Sequence, residues 1–186
     1  MTNVASFSLI TAFADDPFGG NPAAIVFLDP SLPTDTLGKI AQNFNQPILV
    51  VISPTSLPTE DGDPKVETRS IRFFTPIGGN KEPPICGHGL IAAAKTLFDL
   101  LEEGKEVIRF KNRFGDTLEA SKLEDGWIEI KIPSSVPGVL NEEDKKRLKG
   151  YVDKAFGRDV RVKDIKTGGS VYSYCEYPVF HAVLLC

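Results

Sequence analysis

The sequence predicts an α+β fold: a mixed or antiparallel sheet curled around one central buried helix, with a second, incomplete unit behind it. Three observations carry this. From Gly87 to Glu103, apolar residues such as Leu90, Ile91, Ala93, Leu97, Phe98 and Leu101 cover nearly the whole circumference of a helix. A helix apolar all round is a buried one. Short strand candidates bounded by turn residues flank it on both sides in the chain. After Pro133–Gly138, a boundary by composition, too few elements remain to close another sheet.

The elements follow in order. Ser6–Phe13 alternates, with Phe7, Leu9 and Thr11 on one face and Ser8, Ile10 and Ala12 on the other, as a strand does. Asp15–Pro22 is a turn by composition. Ala23–Leu28 is continuously apolar and reads as a buried strand. Pro33-Thr34-Asp35 opens a helix whose Leu37, Ile40, Ala41 and Phe44 share a face, and Asn45-Gln46-Pro47 stops it. Ile48–Ser53 is a second buried strand, and Thr55–Asp63 a polar surface loop. Val66–Thr75 reads as a long strand with alternating polar residues. Gly104 is a plausible C-terminal cap for the central helix. Glu106–Lys111, Thr117–Leu123 and Trp127–Ile132 follow as strands. Asn141 then caps a charged helix reaching about Phe156, with strands at Val160–Ile165 and Phe180–Leu185. The expected units are 1–133 and 134–186.

The chain has 186 residues and a net charge of −4, from 25 acids against 21 bases. No basic stripe stands out, so no nucleic-acid partner is expected. No run is long enough to span a membrane, and the N-terminus lacks the basic-then-apolar pattern of a secretory signal. The three cysteines, Cys86, Cys175 and Cys186, are odd in number and irregular in spacing. That pattern fits a reducing compartment, and the expected location is cytoplasmic.

Two glycine-bearing turns carry the chemistry. The first is Pro17-Phe18-Gly19-Gly20-Asn21-Pro22; the second is Cys86-Gly87-His88-Gly89, which opens the buried helix. Free N–H groups and the positive dipole end at a helix start favour an anion such as a substrate carboxylate. Glycine lets a ligand approach the backbone closely. Cys86 at such a terminus is expected to have a lowered pKa and to serve as base or nucleophile. His88 can move a proton near neutral pH. The motif alone also fits a small core cysteine and a satisfied first-turn histidine. Cys86, His88, Cys175 and His181 number enough for a zinc site, but their spacing is no zinc-finger spacing, so no metal is expected. Asp15-Asp16 reads as a solvated turn, and Lys145-Lys146-Arg147 as a solvated helix face. Tyr172, Tyr174 and Tyr177 near Gly168-Gly169 fit either a pocket lining or strand positions.

Four motifs in order then resemble a known family. They are Thr11–Ala24, Ile40–Asn45, Ile71–Pro76 and Cys86–Ala94. Together they resemble the PhzF-like (phenazine biosynthesis-like) branch of the diaminopimelate-epimerase fold, over roughly residues 5–135. The resemblance implies two similar domains, each a sheet curled around a helix, the second incomplete here. It implies a site between the domains, no cofactor, proton-transfer isomerisation of a small-molecule substrate in secondary metabolism, and a homodimer. It also implies His88 as acid/base and Gly20, Asn21, Gln46, Gly87 and Gly89 as substrate-binding. A related Cys-Gly-His-Gly turn occurs in proline racemase-like enzymes, where the cysteine is a base; this carries over to Cys86.

The departures are specific. The family's catalytic glutamate falls on Ile48, which transfers no proton. Three extra residues lie between Pro76 and Cys86, a change that could bring Glu82 toward the pocket. The family's second glycine-rich motif is absent. Two classes of function follow. One is a cofactor-independent isomerase or cyclase on a small carboxylated metabolite, with an amino-acid racemase or epimerase using Cys86 as its nearer variant. The other is a non-catalytic binding or assembly protein that keeps the fold. The apolar run Phe180–Leu185 adds an expectation of self-association.

Overall fold

A computed structural model of the chain describes residues 5–14, 19–60, 62–77, 82–101, 104–132, 138–167 and 180–184. The fold is mixed α+β. The chain divides into two compact units, Met1–Ile132 and Pro133–Cys186.

In the first unit seven strands lie side by side in sequence order. They are β1 (Phe7–Ala12), β2 (Asn21–Phe27), β3 (Leu49–Ile52), β4 (Val66–Phe74), β5 (Val107–Lys111), β6 (Thr117–Lys122) and β7 (Ile128–Lys131). The β2–β3 and β4–β5 pairs are parallel; the other four pairs are antiparallel. A parallel neighbour needs a crossover, and a helix supplies each one. Helix α1 (Thr34–Phe44) joins β2 to β3, and α2 (Gly87–Leu100) joins β4 to β5.

The two helices cover opposite faces of the sheet, which explains the continuous apolar runs. Ala23, Ile25, Val50 and Ile52 pack with α2, while Ala24, Val26, Leu49 and Val51 pack with Leu37 and Ala41 of α1. A strand covered on both faces has no polar side to show. Helix α2 contacts β1 and β2 at one edge of the sheet and β6 and β7 at the other. The sheet therefore curls around α2 as a half-barrel.

The sequence expectation for α2 needs two corrections. Its middle is buried as expected, but Lys95, Asp99 and Leu100 are exposed, and Lys95 pairs with Asp99 across one turn. The helix also ends earlier, at Leu100, with Leu101 extended as its cap rather than Gly104. Strand β4 differs too. Its polar residues are not a solvent face, because Glu67, Thr68, Arg69 and Arg72 are all buried. Glu67 and Arg69 meet at 2.6 Å, and the Arg69 guanidinium also donates to the carbonyls of Ser53 and Pro54. A buried charge needs such partners.

The second unit holds β8 (Gly138–Val139), α3 (Glu142–Phe156), β9 (Val162–Thr167) and β10 (Phe180–Leu184). The strands run antiparallel in the order β10-β9-β8. Asn141 caps α3 as its sequence suggested, its side chain accepting from the Asp144 N–H at 2.8 Å. No residue of α3 is buried. Strand β8 lies where the sequence read as a linker. Strand β9 starts two residues later than expected, at Val162, with Val160 held beforehand by a bond to Asp153. Asp15, Asp16, Gly168, Gly169, Tyr172, Tyr174, Cys175, Tyr177 and Cys186 lie outside the described residues, as does the side chain of His181. Among the described residues no helix is long and apolar enough to cross a membrane.

Candidate functional site

The start of α2 is set by its approach to β3. A Cβ on Gly89 would meet Val50 Cγ2 at 3.0 Å, Ile48 Cγ2 at 3.3 Å and Cys86 Sγ at 3.4 Å. Gly89 thus serves helix–sheet packing rather than ligand approach. Gly87 differs, because a Cβ there would meet nothing within 4 Å. Open space stands beside the first turn at Gly87, where a ligand could reach the backbone. Cys86 is extended, at φ −144° and ψ 110°, and its carbonyl accepts the first bond of the helix from Leu90 at 2.8 Å.

Cys86 and His88 are brought together. The sulfur lies 3.3 Å from Nδ1 of the imidazole. Burial raises the Cys86 pKa above 9.0, although the N–H groups of Gly89 and His88 oppose the shift. This corrects the expectation of a lowered value. The helix terminus does favour the thiolate, but the loss of water around the sulfur outweighs it. Burial also lowers the His88 pKa below 6.5. At neutral pH the pair is therefore a thiol and a neutral imidazole, and with Nδ1–H donating to the sulfur Nε2 keeps a free lone pair. A neutral imidazole is a competent base.

The remaining predicted residues lie nearby in the topology, but not all face the pair. Gly20 has φ +75°, and a Cβ on it would stand 2.2 Å from the Ala12 carbonyl oxygen. Only glycine closes the β1–β2 turn there. Asn21 opens β2 opposite Ala12. Three residues on, the Ala24 N–H donates to the Ile48 carbonyl at 3.0 Å. The starts of β2, β3 and α2 thus lie at one end of the sheet. Gln46 turns its amide back onto the Phe44 carbonyl at 3.3 Å. Ile48 is buried beside Gly89, so an apolar side chain fills that place.

A groove of about 650 Å³ runs along the exposed side of α2. Its floor includes Ile91 and Lys95, and its walls include Ala12 of β1 with Trp127 and Ile128 at the other edge. Cys86 and His88 do not line it. His88, Ile91 and Lys95 are nevertheless three and four residues apart, so they share one face of α2. Glu82 does not join the site. Its carboxylate is held at 2.7 Å by Arg72 and at 3.0 Å by Arg113, on the α1 side of the sheet. Among the described residues no group of three or more His, Cys, Asp and Glu could hold a metal.

Known proteins resemble this chain closely enough to compare. A family model described as phenazine biosynthesis-like protein matches residues 10–171. A curated relative from Pseudomonas aeruginosa, named an uncharacterized isomerase, is 33% identical over 131 residues, covering 70% of this chain and 44% of the relative. The phenazine biosynthesis-like domain-containing protein of Bos taurus is 30% identical over 156 residues, covering 83% and 50%. The chain thus spans about half the length of these relatives. Among solved structures, a PhzF-family phenazine biosynthesis protein of Bacillus anthracis matches with TM-score 0.64 and 21% identity, over 99% of this chain and 56% of that one. A PhzF-family protein of Enterococcus faecalis matches with TM-score 0.57 and 23% identity, over 87% and 53%.

Proposed function

This chain belongs to the phenazine biosynthesis-like family, and from that premise we propose that it is an isomerase-type proton-transfer unit acting on a small carboxylated metabolite of secondary metabolism. The observation that carries the proposal is the 3.3 Å contact of Cys86 Sγ with His88 Nδ1 at the start of α2. His88 is the acid/base and Cys86 supports it, its sulfur accepting from Nδ1–H so that Nε2 keeps the free lone pair a base needs. The substrate carboxylate lies against the open first turn at Gly87, where the positive end of the helix dipole favours an anion. Gly20 and Asn21 shape the neighbouring turn, Gly89 lets the helix come close, and Gln46 borders the entry to β3. The chemistry needs no cofactor, because a base and a positioned acid suffice for a 1,3-proton shift. The working form is a cytoplasmic homodimer.

Solvent exchange tests this. The protein is incubated in D2O with a panel of α-amino and α,β-unsaturated carboxylates, and deuterium at carbon is followed by NMR. Exchange that disappears in His88→Asn supports the proposal. Exchange that continues unchanged in His88→Asn rejects the role of His88.

One observation favours a second reading. Ile48, apolar and buried, is the residue to which the family resemblance assigns the place of the catalytic glutamate. A protein that binds the carboxylate without turnover fits that residue better. Binding by the whole panel without any exchange selects this reading. A racemase acting through Cys86 is separated from both by Cys86→Ser, which stops racemisation and leaves binding in place.

A further inference from the structure

The segment that delivers Cys86 to the helix start has no regular structure; Pro84 is buried, Ile85 and Cys86 pack against the core, and polar contacts tie the segment along its length. Residues 82–86 run Glu82-Pro83-Pro84-Ile85-Cys86. Glu82 is tied at one end by Arg72 and Arg113. The other end enters α2 through the bond from Leu90 to the Cys86 carbonyl. Between them, the Pro84 carbonyl accepts from Nδ2 of Asn112 at 3.0 Å.

Asn112 sits in the β5–β6 turn, 28 residues further on. Its Oδ1 accepts from the N–H groups of Phe114 and Asp116, both at 2.9 Å, which closes that turn. Its Nδ2 also donates to Asp116 Oδ2 at 2.9 Å. One side chain therefore closes a hairpin and ties it to the strand-to-helix connection. Only the backbone torsions of Ile85, the φ of Cys86 and its χ1 separate the tethered carbonyl from the sulfur, and both residues pack against the core. Displacement of Pro84 is passed to Cys86 through this short, packed stretch.

We infer that Asn112 is a positioning residue for Cys86: its bond to the Pro84 carbonyl holds the thiol beside His88 and in its partly buried place. The inference rests on the reading of Cys86 and His88 as the working pair, but its test does not depend on turnover. With the tether cut, the 82–86 segment loosens, water reaches the sulfur and the thiol ionises more readily.

The experiment is alkylation by iodoacetamide from neutral pH to about pH 10, read on the Cys86 peptide by mass spectrometry. The informative variant is the exchanged pair N112D/D116N. It keeps an acceptor for Phe114 and residue 116 and keeps the side-chain bond between the two positions, but removes the donor to Pro84. Alkylation about fivefold faster than wild type, with the pH midpoint moved down and the melting temperature retained, is the expected result. An unchanged rate and midpoint in the folded variant overturns the inference, since a merely structural Asn112 leaves them alone. Asn112→Ser, which keeps an oxygen acceptor without the amide donor, serves if the exchanged pair does not fold. Failure of the His88→Asn exchange assay would reject the catalytic reading while leaving this positional claim to its own result.

Discussion

Arg72 and Glu82 form an ion pair at 2.7 Å with both side chains almost fully buried, 6% and 5% exposed. Arg72 also donates to the carbonyls of Pro30 and Leu32 at 2.9 and 2.8 Å and to the Thr34 hydroxyl at 2.7 Å. The pair thus joins β4 to the loop before α1 and to the segment before α2. Removing Arg72 leaves the buried Glu82 with the half-exposed Arg113 as its remaining cation and frees the Pro30 and Leu32 carbonyls of their donor. Arg72→Ala is expected to cost about 3–5 kcal/mol, read as a lower urea midpoint at unchanged slope. Arg113→Ala, at the exposed rim of the same cluster, is expected to cost about 1 kcal/mol or less.

The pH dependence of stability follows from the signs of two shifts. Burial lowers the His88 pKa below its ordinary 6.5, so the unfolded chain takes the proton first. Stability from this residue is present above 6.5 and is lost as pH falls through the folded value. Burial raises the Cys86 pKa above 9.0, so the unfolded chain loses its proton first. Stability from Cys86 is present below 9.0 and is lost as pH rises through the folded value. Melting curves across pH are expected to fall on both sides. His88→Asn should flatten the acid limb and Cys86→Ser the alkaline limb; limbs identical to wild type would contradict the assignment.

Three glycines of the two turns give three different outcomes on substitution by alanine. Gly20→Ala meets both a φ of +75° and the Ala12 carbonyl oxygen, and is expected to cost about 2 kcal/mol or more. Gly89→Ala presses on the ends of the Val50 and Ile48 side chains rather than on backbone. A cost of about 1–2 kcal/mol is expected, since the side chains can give slightly. Gly87→Ala meets nothing and should match or slightly exceed wild-type stability. If the carboxylate binds at that turn, Gly87→Ala alone loses ligand without losing stability. Chemical denaturation beside ligand titration separates the three.

The legibility of the molecule follows the same physics. The runs Ala23–Leu28 and Ile48–Ser53 announced buried strands because both faces are covered by helices. The α2 register was readable from its apolar density, and the Cys86–His88 contact from two positions in one turn. The buried state of Arg72 was not readable. Its place in an alternating strand matches a solvent-facing residue, and its partners lie 10 to 42 residues away. The Cys86 pKa shift had its sign reversed for a related reason. A sequence displays the helix terminus but not the depth of packing against β3, and the depth decides. Strand β8 was hidden because two residues after a proline, one of them glycine, carry no periodicity.

Self-association is expected from β1, the edge strand of the seven-stranded sheet. Phe7 and Leu9 are 56% and 58% exposed there, and the strand carries neither charge nor proline to discourage pairing. Light scattering at micromolar concentration is expected to give a dimer, and Leu9→Lys to shift it toward monomer. A monodisperse wild-type monomer would contradict this.

Ile48 offers the sharpest test of the site, because it is buried at 2% exposure against the first turn of α2. Ile48→Glu places a carboxyl where packing now excludes water. At neutral pH the ionised form is desolvated within the apolar core cluster, so a loss of about 2–4 kcal/mol is expected. The sign with pH is fixed. Burial would raise the new carboxyl's pKa, so the penalty shrinks as pH falls and the group takes its proton. Ile48→Gln, which has the same shape and no charge, should show the loss without that pH dependence. If Ile48→Glu is instead as stable as wild type at pH 8, the end of α2 is open to water, and a space for a charged substrate beside His88 exists already. If the expected penalty appears, the site is dry at Ile48. Among the described residues, proton transfer at this turn must then rely on His88 and Cys86.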